Sequence, residues 1–304
     1  MIEMVKPKHG FWSQIRESVP AYLLVLPTFA VFCVFLYIPF VKALRISTFK
    51  FNGIGDLTDY VGFANYWRVL QDEKFYSAFW NTFKLIGVDS LFSIGTGFLL
   101  AFVLYKGIKL KRFFNTALFI PYLISMVVIG SIWRIIYDPT IGPLNQFLEA
   151  IGLAEWAQPW LSNEHTALPA IMLTWIWHTI PFNMLIIYAN LMTMPGDFLE
   201  AAEMDGATPL QKLRYIILPY LLPTFGTLLL LTVTTDLKAF DMVWVMTQGG
   251  PGGASEVITS YVYRKAFSTQ DFGTATAASV IMMLVMVTIM IVAQLAGRMG
   301  GKGR

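Results

Sequence analysis

The sequence predicts an all-α fold, a polytopic membrane bundle of about six transmembrane helices, and three observations carry that expectation. Charged residues fill only 13% of 304 positions while hydrophobic residues fill 56%, against about 25% charged in ordinary soluble domains. A chain of this length folded in water needs a larger polar surface, and lipid as solvent removes the need. The apolar residues also gather into long stretches without Asp, Glu, Lys or Arg, near the roughly 20 residues that cross a hydrocarbon core about 30 Å thick. Finally, Lys and Arg collect in some links between these stretches and vanish from others, the bias that orients helices in a bilayer.

Taken in order, Ser18 to Val41 is free of charge and predicts an N-terminal helix over 19–43. Its apolar core is longer than a secretory h-region, and no small-x-small cleavage site precedes Lys42, so a retained helix is expected. A weaker span over about 79–105 is interrupted by Lys84 and Asp89, and its second half carries the small residues that suit close helix packing. Phe113 to Trp133 predicts a helix over 113–137, and His165 to Gly196 one over 167–192. Tyr215 to Thr235 opens a helix read as 216–246, with an end near Thr235 as the alternative, and Phe272 to Gly297 closes the series at 272–297. No linker divides the chain, so residues 1–304 read as one transmembrane domain.

Lys6, Lys8 and Arg16 precede the first span, Lys106, Lys109, Lys111 and Arg112 fill one short link, and Arg298, Lys302 and Arg304 follow the last span. The link from Asp138 to Thr166 holds Asp138, Glu149, Glu155 and Glu164 and no base. The asymmetry predicts cytoplasmic termini, an external 138–166 link and a cytoplasmic loop over 195–215.

Several function classes are excluded. The net charge is +3 without a basic stripe, which argues against nucleic acid. Cys33 is the sole cysteine, so neither a disulfide within the chain nor a thiolate metal cluster is available. There is no GxxxxGK[ST]; the glycine-rich run over 249–255 lacks the lysine and falls on the external side. HExxH, CxxC and GxSxG are absent, and His9, His165 and His178 are scattered, which leaves a membrane-embedded enzyme without a constellation. No cofactor is expected on this chain.

The loop PGDFLEAAEMDGATPLQKLRYIILP reads as two short helices around a turn. Asp197 suits an N-cap with Glu200 completing a capping box. Asp205 and Gly206 signal a turn, with Gly206 suited to a left-handed helix stop. Thr208 then caps a second helix whose first residue is Pro209, and Leu210, Leu213, Ile216 and Ile217 give it an apolar face. So elaborate a loop exceeds what a plain helix connection requires.

Glu200-Ala201-Ala202, then Gly206, then Ile216-x-Leu218-Pro219 resembles the EAA motif of binding-protein-dependent ABC importer permeases, and the stretches from Lys238 to Phe267 and from Phe272 resemble the sugar-importing, maltose and glycerol-phosphate branch. The resemblance covers nearly the whole chain and is weakest in the first 75 residues. It implies that Glu200, Ala201, Ala202, Asp205, Gly206 and Pro209 dock on a cytosolic ATPase. It also implies that ATP and Mg sit on that partner in two copies, that a second permease subunit completes the pathway, and that an external solute-binding protein delivers the cargo. The compartment implied is the cytoplasmic (inner) membrane of a bacterium or archaeon.

Polar groups within spans are costly and usually face a cavity. Thr232 and Asp236 are four apart and share a helix face, Lys238 and Asp241 are spaced to pair, and Thr179 and Asn183 share a face of the fourth span beside Trp175, Trp177 and His178. Asp89 is a further candidate. Hydroxyl partners beside flat apolar groups suit a sugar or oligosaccharide. The alternatives are glycerol phosphate or another polar metabolite, for which Lys238 is the only cation available, and an ion-coupled secondary transporter, which leaves the EAA loop unexplained.

Overall fold

The computed structural model describes residues 11–109 and 111–301. The terminal bases Lys6, Lys8, Lys302 and Arg304, together with His9, lie outside the described residues. Helix α1 (Phe11–Phe32) continues through a π-helical turn over Cys33–Tyr37 into α2 (Ile38–Ile46). From Tyr22 to Val41 this first span carries no charged residue, and no residue from Tyr22 to Ile46 is fully buried against the rest of the chain. A two-stranded antiparallel ribbon, β1 (Phe49–Lys50) with β2 (Asp59–Tyr60), and the short helix α3 (Ala64–Gln71) follow. The buried Asn65 ties this segment together, its Nδ2 donating to the carbonyls of Ser47 at 2.9 Å and Phe49 at 2.8 Å.

Helix α4 (Glu73–Tyr105) begins where the Asp72 side chain caps the Lys74 amide. Its 33 residues extend about 50 Å at 1.5 Å per residue, so it starts earlier than the 79–105 expectation and overhangs a bilayer core. The span expected over 113–137 is broken. Helix α5 (Lys111–Leu123) and helix α6 (Met126–Ile136) meet at 95°. Pro121 supplies no amide to the ladder. The last turn closes by an Ile124 amide to Pro121 carbonyl bond at 3.3 Å, and Ser125 leaves the helical region at ψ 138°. Irregular backbone at this depth is tolerated where protein buries it or a cavity hydrates it, which makes the bend a marker of the site.

After α7 (Pro143–Ala150) comes α8 (Ala167–Met192), then α9 (Asp197–Met204) and α10 (Pro209–Lys212). A π turn over Leu213–Ile217 leads into α11 (Leu218–Asp236), so that Pro209 to Asp236 forms one continuous rod of 28 residues. The helix expected over 216–246 therefore ends at Asp236. Short i−3 bonds from the Lys238 and Ala239 amides tighten the chain, and Phe240 turns out at φ −140° so that its ring packs on Trp244 and Tyr263. Helix α12 (Asp241–Thr247), α13 (Ile258–Tyr263) and α14 (Phe272–Gly301) complete the chain.

The helix order places the α9–α10 loop and residues 106–109 at one end of the bundle and the segments around 47–72, 137–166 and 237–271 at the other. The core lies in three apolar groups. One near the α9 end joins Leu104 to Ile187, Leu191 and Leu221. A central one joins Leu85, Ile129 and Trp175 to Val243. The third joins Phe75 and Ala78 to Tyr261 and Ala278.

The α4–α8 seam runs through the first two, and of its two helices α4 alone reaches the third. The two helices run parallel, with Asp89 paired to Thr179 and Ser93 to Asn183, four residues on along each helix. At Gly97 the backbones touch. A Cβ there would stand 2.9 Å from the Met184 amide nitrogen, whereas one at Gly95 meets nothing within 4 Å. Gly97→Ala should therefore lower the thermal stability of the detergent-purified complex relative to Gly95→Ala by about 1–3 kcal/mol, the cost of overpacking, because the helix-propensity gain is common to both. Equal melting temperatures would show that the seam is not in backbone contact.

Candidate functional site

The bend between α5 and α6 opens onto a cavity of about 500 Å³ enclosed by α4, α8 and α11. Its polar side is built from Asp89 of α4, Thr179 and Asn183 of α8, and Thr232, Thr235 and Asp236 of α11. Its other side is Tyr122 and Phe182, stacked at 5.2 Å, with the His178 ring 5.4 Å from Tyr122. Among the described residues, no Lys or Arg lines it.

The polar side is held rigidly. Asp89 Oδ1 accepts from Thr179 Oγ1 at 2.7 Å, Ser93 Oγ donates to the Asp89 carbonyl at 2.7 Å, and Asn183 Nδ2 donates to Ser93 Oγ at 2.8 Å. Asp236 Oδ1 accepts from Trp175 Nε1 at 3.0 Å. Asp89 and Asp236 are each 1% exposed and line the same cavity, and among the described residues no group donates to the Oδ2 atom of either.

Four of the six sequence-expected pathway residues thus converge: Thr179, Asn183, Thr232 and Asp236. Lys238 and Asp241 do not. Both are exposed and make no ion pair with each other, because the helix on which their spacing was reckoned stops at Asp236. Trp177 packs on Trp133 with ring centroids 5.5 Å apart, and Trp175 serves as a donor, so the flat apolar wall falls to Tyr122 and Phe182. Sequence reasoning missed Tyr122, Ser125 and Thr235; the one available signal was Pro121 inside the charge-free run.

At the end of the bundle beyond the cavity from the α9–α10 loop, Asn81 Nδ2 donates to the carbonyls of Ala254 and Glu256, each at 3.0 Å, and so holds the glycine-rich loop against α4. Burial pushes the Glu256 carboxyl up while Arg264, 3.0 Å away, opposes it. Burial also pushes Asp72 up, but hydrogen bonds from Lys265, Tyr261 and the Lys74 amide outweigh it and leave that carboxyl below the usual range.

At the opposite end, α9 and α10 form the expected helix–turn–helix. Gly206 takes φ +75°, the left-handed stop read from the sequence. The Ala207 amide reaches the Ala202 carbonyl at 2.9 Å and the Gly206 amide reaches Glu203 at 3.0 Å, the paired bonds of a Schellman end. Thr208 and Gln211 make a reciprocal capping box with Pro209 at the first helical position, and Lys212 pairs with Glu203 at 3.2 Å across the turn. The capping box expected at Asp197 and Glu200 is absent. Gly196 is already helical at φ −59° and ψ −33°, so both acids fall in the first turn, at the positive end of the helix dipole. Leu210 also departs from its expected apolar face, being 72% exposed, while Leu213 and Ile216 pack into the core group near α9. Phe198, Met204, Leu210 and Tyr215 leave an exposed apolar rim around the turn, with Ala201, Ala202 and Asp205 in the adjoining hollow.

Helices long and apolar enough to span a bilayer, a buried polar cavity between them and an exposed helix–turn–helix at one end define a multi-pass membrane permease. Residues 93–299 match the family described as binding-protein-dependent transport system inner membrane component, and the chain belongs to it. It is 31% identical to the sn-glycerol-3-phosphate transport system permease protein UgpA of Agrobacterium fabrum, over 90% of this chain and 92% of that protein. It is 30% identical to the trehalose/maltose transport system permease protein MalF of Thermococcus litoralis, over 93% and 95%. Its fold is similar to a chain in the crystal structure of a bacterial ABC transporter that imports the acidic polysaccharide alginate, with a TM-score of 0.84, 26% identity, and coverage of 94% of this chain and 98% of that one.

Proposed function

We propose that this chain is one of two permease subunits of an ATP-driven importer and forms half of the translocation pathway for a neutral sugar or oligosaccharide handed over by an external binding protein. The observation that carries the cargo class is the cavity, with hydroxyl, amide and carboxyl groups on one side, stacked rings on the other and, among the described residues, no lysine or arginine. Sugars present hydroxyl edges and apolar ring faces, and this surface matches both. Glycerol phosphate is the second reading, favoured by the likeness to UgpA. It fits this cavity less well, because two buried carboxyls and no cation oppose a phosphate.

ATP and Mg belong in this reading to two cytosolic ATPase copies, which seat the α9–α10 turn through its exposed apolar rim and Glu200, Ala201, Ala202, Asp205, Gly206 and Pro209. The unpacked face of Tyr22–Ile46 meets lipid or the second permease subunit. The termini and the 195–215 loop lie on the cytoplasmic side of a bacterial or archaeal inner membrane, and the acidic 138–166 link lies outside, as the distribution of Lys and Arg supports. An impermeant thiol reagent applied to intact cells should label Glu149→Cys and not Lys109→Cys; the reverse pattern inverts the topology and detaches the turn from any cytosolic partner.

Coupling is tested at Gly206. A Cβ there meets no atom within 4 Å, so substitution acts through the backbone alone. Left-handed φ costs a residue with a Cβ about 1–2 kcal/mol, a factor of about 5–30 in the population of the docking-competent turn. Gly206→Val should leave the chain inserted and lower the ATPase activity that loaded binding protein stimulates in the reconstituted importer by about that factor. Full stimulation with unchanged subunit stoichiometry would reduce the turn to a connection.

A further inference from the structure

Helix α3 turns a polar residue inward and an apolar face outward. Asn65 and Val69 are buried, while Trp67 and Leu70 of the helix and Phe63 at its N-cap are 63%, 43% and 78% exposed. The i, i+4, i+7 spacing of Phe63, Trp67 and Leu70 puts all three on one face. Residues 63–71 hold no acid and one base, Arg68. The patch extends onto α4, where the Tyr76 hydroxyl donates to the Leu70 carbonyl at 2.9 Å and Trp80 is exposed one turn further on. Two contacts fix the height of α3 in the bundle. Asn65 Nδ2 donates to the carbonyl of Ser47, the residue that follows the first span, Tyr22–Ile46. A Cβ on Gly273, the second residue of the span Phe272–Leu295, would stand 2.9 Å from the same nitrogen. Helix α3 is therefore level with the ends of two spans, at the end of the bundle away from the α9–α10 loop. From Tyr76 an exposed stripe runs down α4 through Trp80, Lys84, Gly87 and Leu91, so the patch is continuous with the outer flank of a span.

We propose that α3 is an interfacial anchor, seated in the boundary between phospholipid headgroups and acyl chains with Phe63, Trp67 and Leu70 inserted into lipid. The leaflet is the one at the end opposite the α9–α10 loop, the outer leaflet in the orientation proposed above. Trp and Tyr rings gather at this depth, where an apolar body and a polar tip are both accommodated, and Lys84 can carry its ammonium from the hydrocarbon edge up to the phosphates. A short helix with an apolar face and a base beside it binds such a boundary by the area it buries and by attraction to anionic lipid. The inward side of α3 passes this hold to the first span. Asn65 takes the Ser47 and Phe49 carbonyls, and the Tyr66 hydroxyl stands 2.7 Å from Ser47 Oγ. Since no residue from Tyr22 to Ile46 is fully buried, the bonds of α3 tie the outer end of that span to the bundle. The anchor depends neither on the cargo nor on which leaflet is the outer one.

Fluorescence quenching in the complete importer, reconstituted into vesicles of phosphatidylethanolamine and phosphatidylglycerol, tests the placement. Phe63→Cys, Trp67→Cys and Leu70→Cys, each combined with Cys33→Ser and labelled with a small fluorophore, put a probe on the proposed face. Three positions keep the test decisive if one substitution disturbs assembly, which subunit stoichiometry checks. Glu149→Cys on the exposed 138–166 link gives the water-facing reference, and the signal of Cys33→Ser alone is subtracted. The quenchers are aqueous iodide and phospholipids that carry a nitroxide on the headgroup, high on the acyl chain or near its end. Probes on the α3 face should be quenched several-fold more than the reference by the headgroup and upper-chain nitroxides, and several-fold less by iodide. Iodide quenching equal to that of the reference would put the face in water. Protection from iodide and from every nitroxide would mean that a protein surface covers it, the second permease subunit or the binding protein. Strongest quenching by the chain-end nitroxide would sink it into the hydrocarbon core. Each of these three results overturns the proposal.

Discussion

Backbone contact between α4 and α8 is the constraint on which the site depends. In lipid there is no hydrophobic force to draw two apolar helices together, so small residues and interhelical hydrogen bonds supply the attachment. Here Gly97 lets the backbones touch, and Ser93–Asn183 and Asp89–Thr179 continue the seam at intervals of four residues. The same spacing keeps these groups on one face, so the seam that fastens the helices also delivers Asp89, Thr179 and Asn183 to the cavity wall. Fixing α4 against α8 in turn forces the next crossing to fit around them. The chain does so by breaking at Ile124 and Ser125 rather than by running straight past.

The second consequence concerns α11. It is the last part of an unbroken rod that begins at Pro209, just after the Gly206 turn, and ends at Asp236 in the cavity. At 1.5 Å per residue its 28 residues span about 40 Å. A rigid element with one end at the proposed ATPase surface and the other carrying Thr232 and Asp236 needs no chain of side-chain contacts to connect the two. In the coupling proposed above, motion of the turn would be carried along this helix to one wall of the cavity, opposite the α4–α8 wall. The Schellman end and the Thr208–Gln211 box close the backbone bonds of the turn at the start of this rod.

Much of this was legible in the sequence, for reasons that differ by residue. The spans follow from apolar length alone, and the α9–α10 turn follows from local chemistry: Gly206 at φ +75° and Thr208–Pro209 at a helix start are choices the chain makes within a few residues. Thr232 and Asp236 were legible because helical periodicity fixes which residues share a face. Two of the failures depend on contacts distant in sequence. Lys238 and Asp241 were placed on a helix that the packing of Phe240 against Trp244 and Tyr263 terminates. The stacked wall of Tyr122 and Phe182 exists only because the α5–α6 bend swings Tyr122 toward α8. Even the Asp197 cap failed by a single residue, since Gly196 had already entered the helix.

Coupling of the loop at one end of the bundle to the cavity through the α11 rod is open to a direct measurement. Replacing Cys33, the sole cysteine, by serine gives a background in which Thr232→Cys reports on the cavity alone. The rate at which a small thiol reagent modifies that position would be measured in the reconstituted importer at rest and after trapping with ATP and vanadate. The account predicts a several-fold change in rate between the two states, abolished by adding Gly206→Val. An identical rate in both states, or a change that survives the Gly206 substitution undiminished, would contradict it.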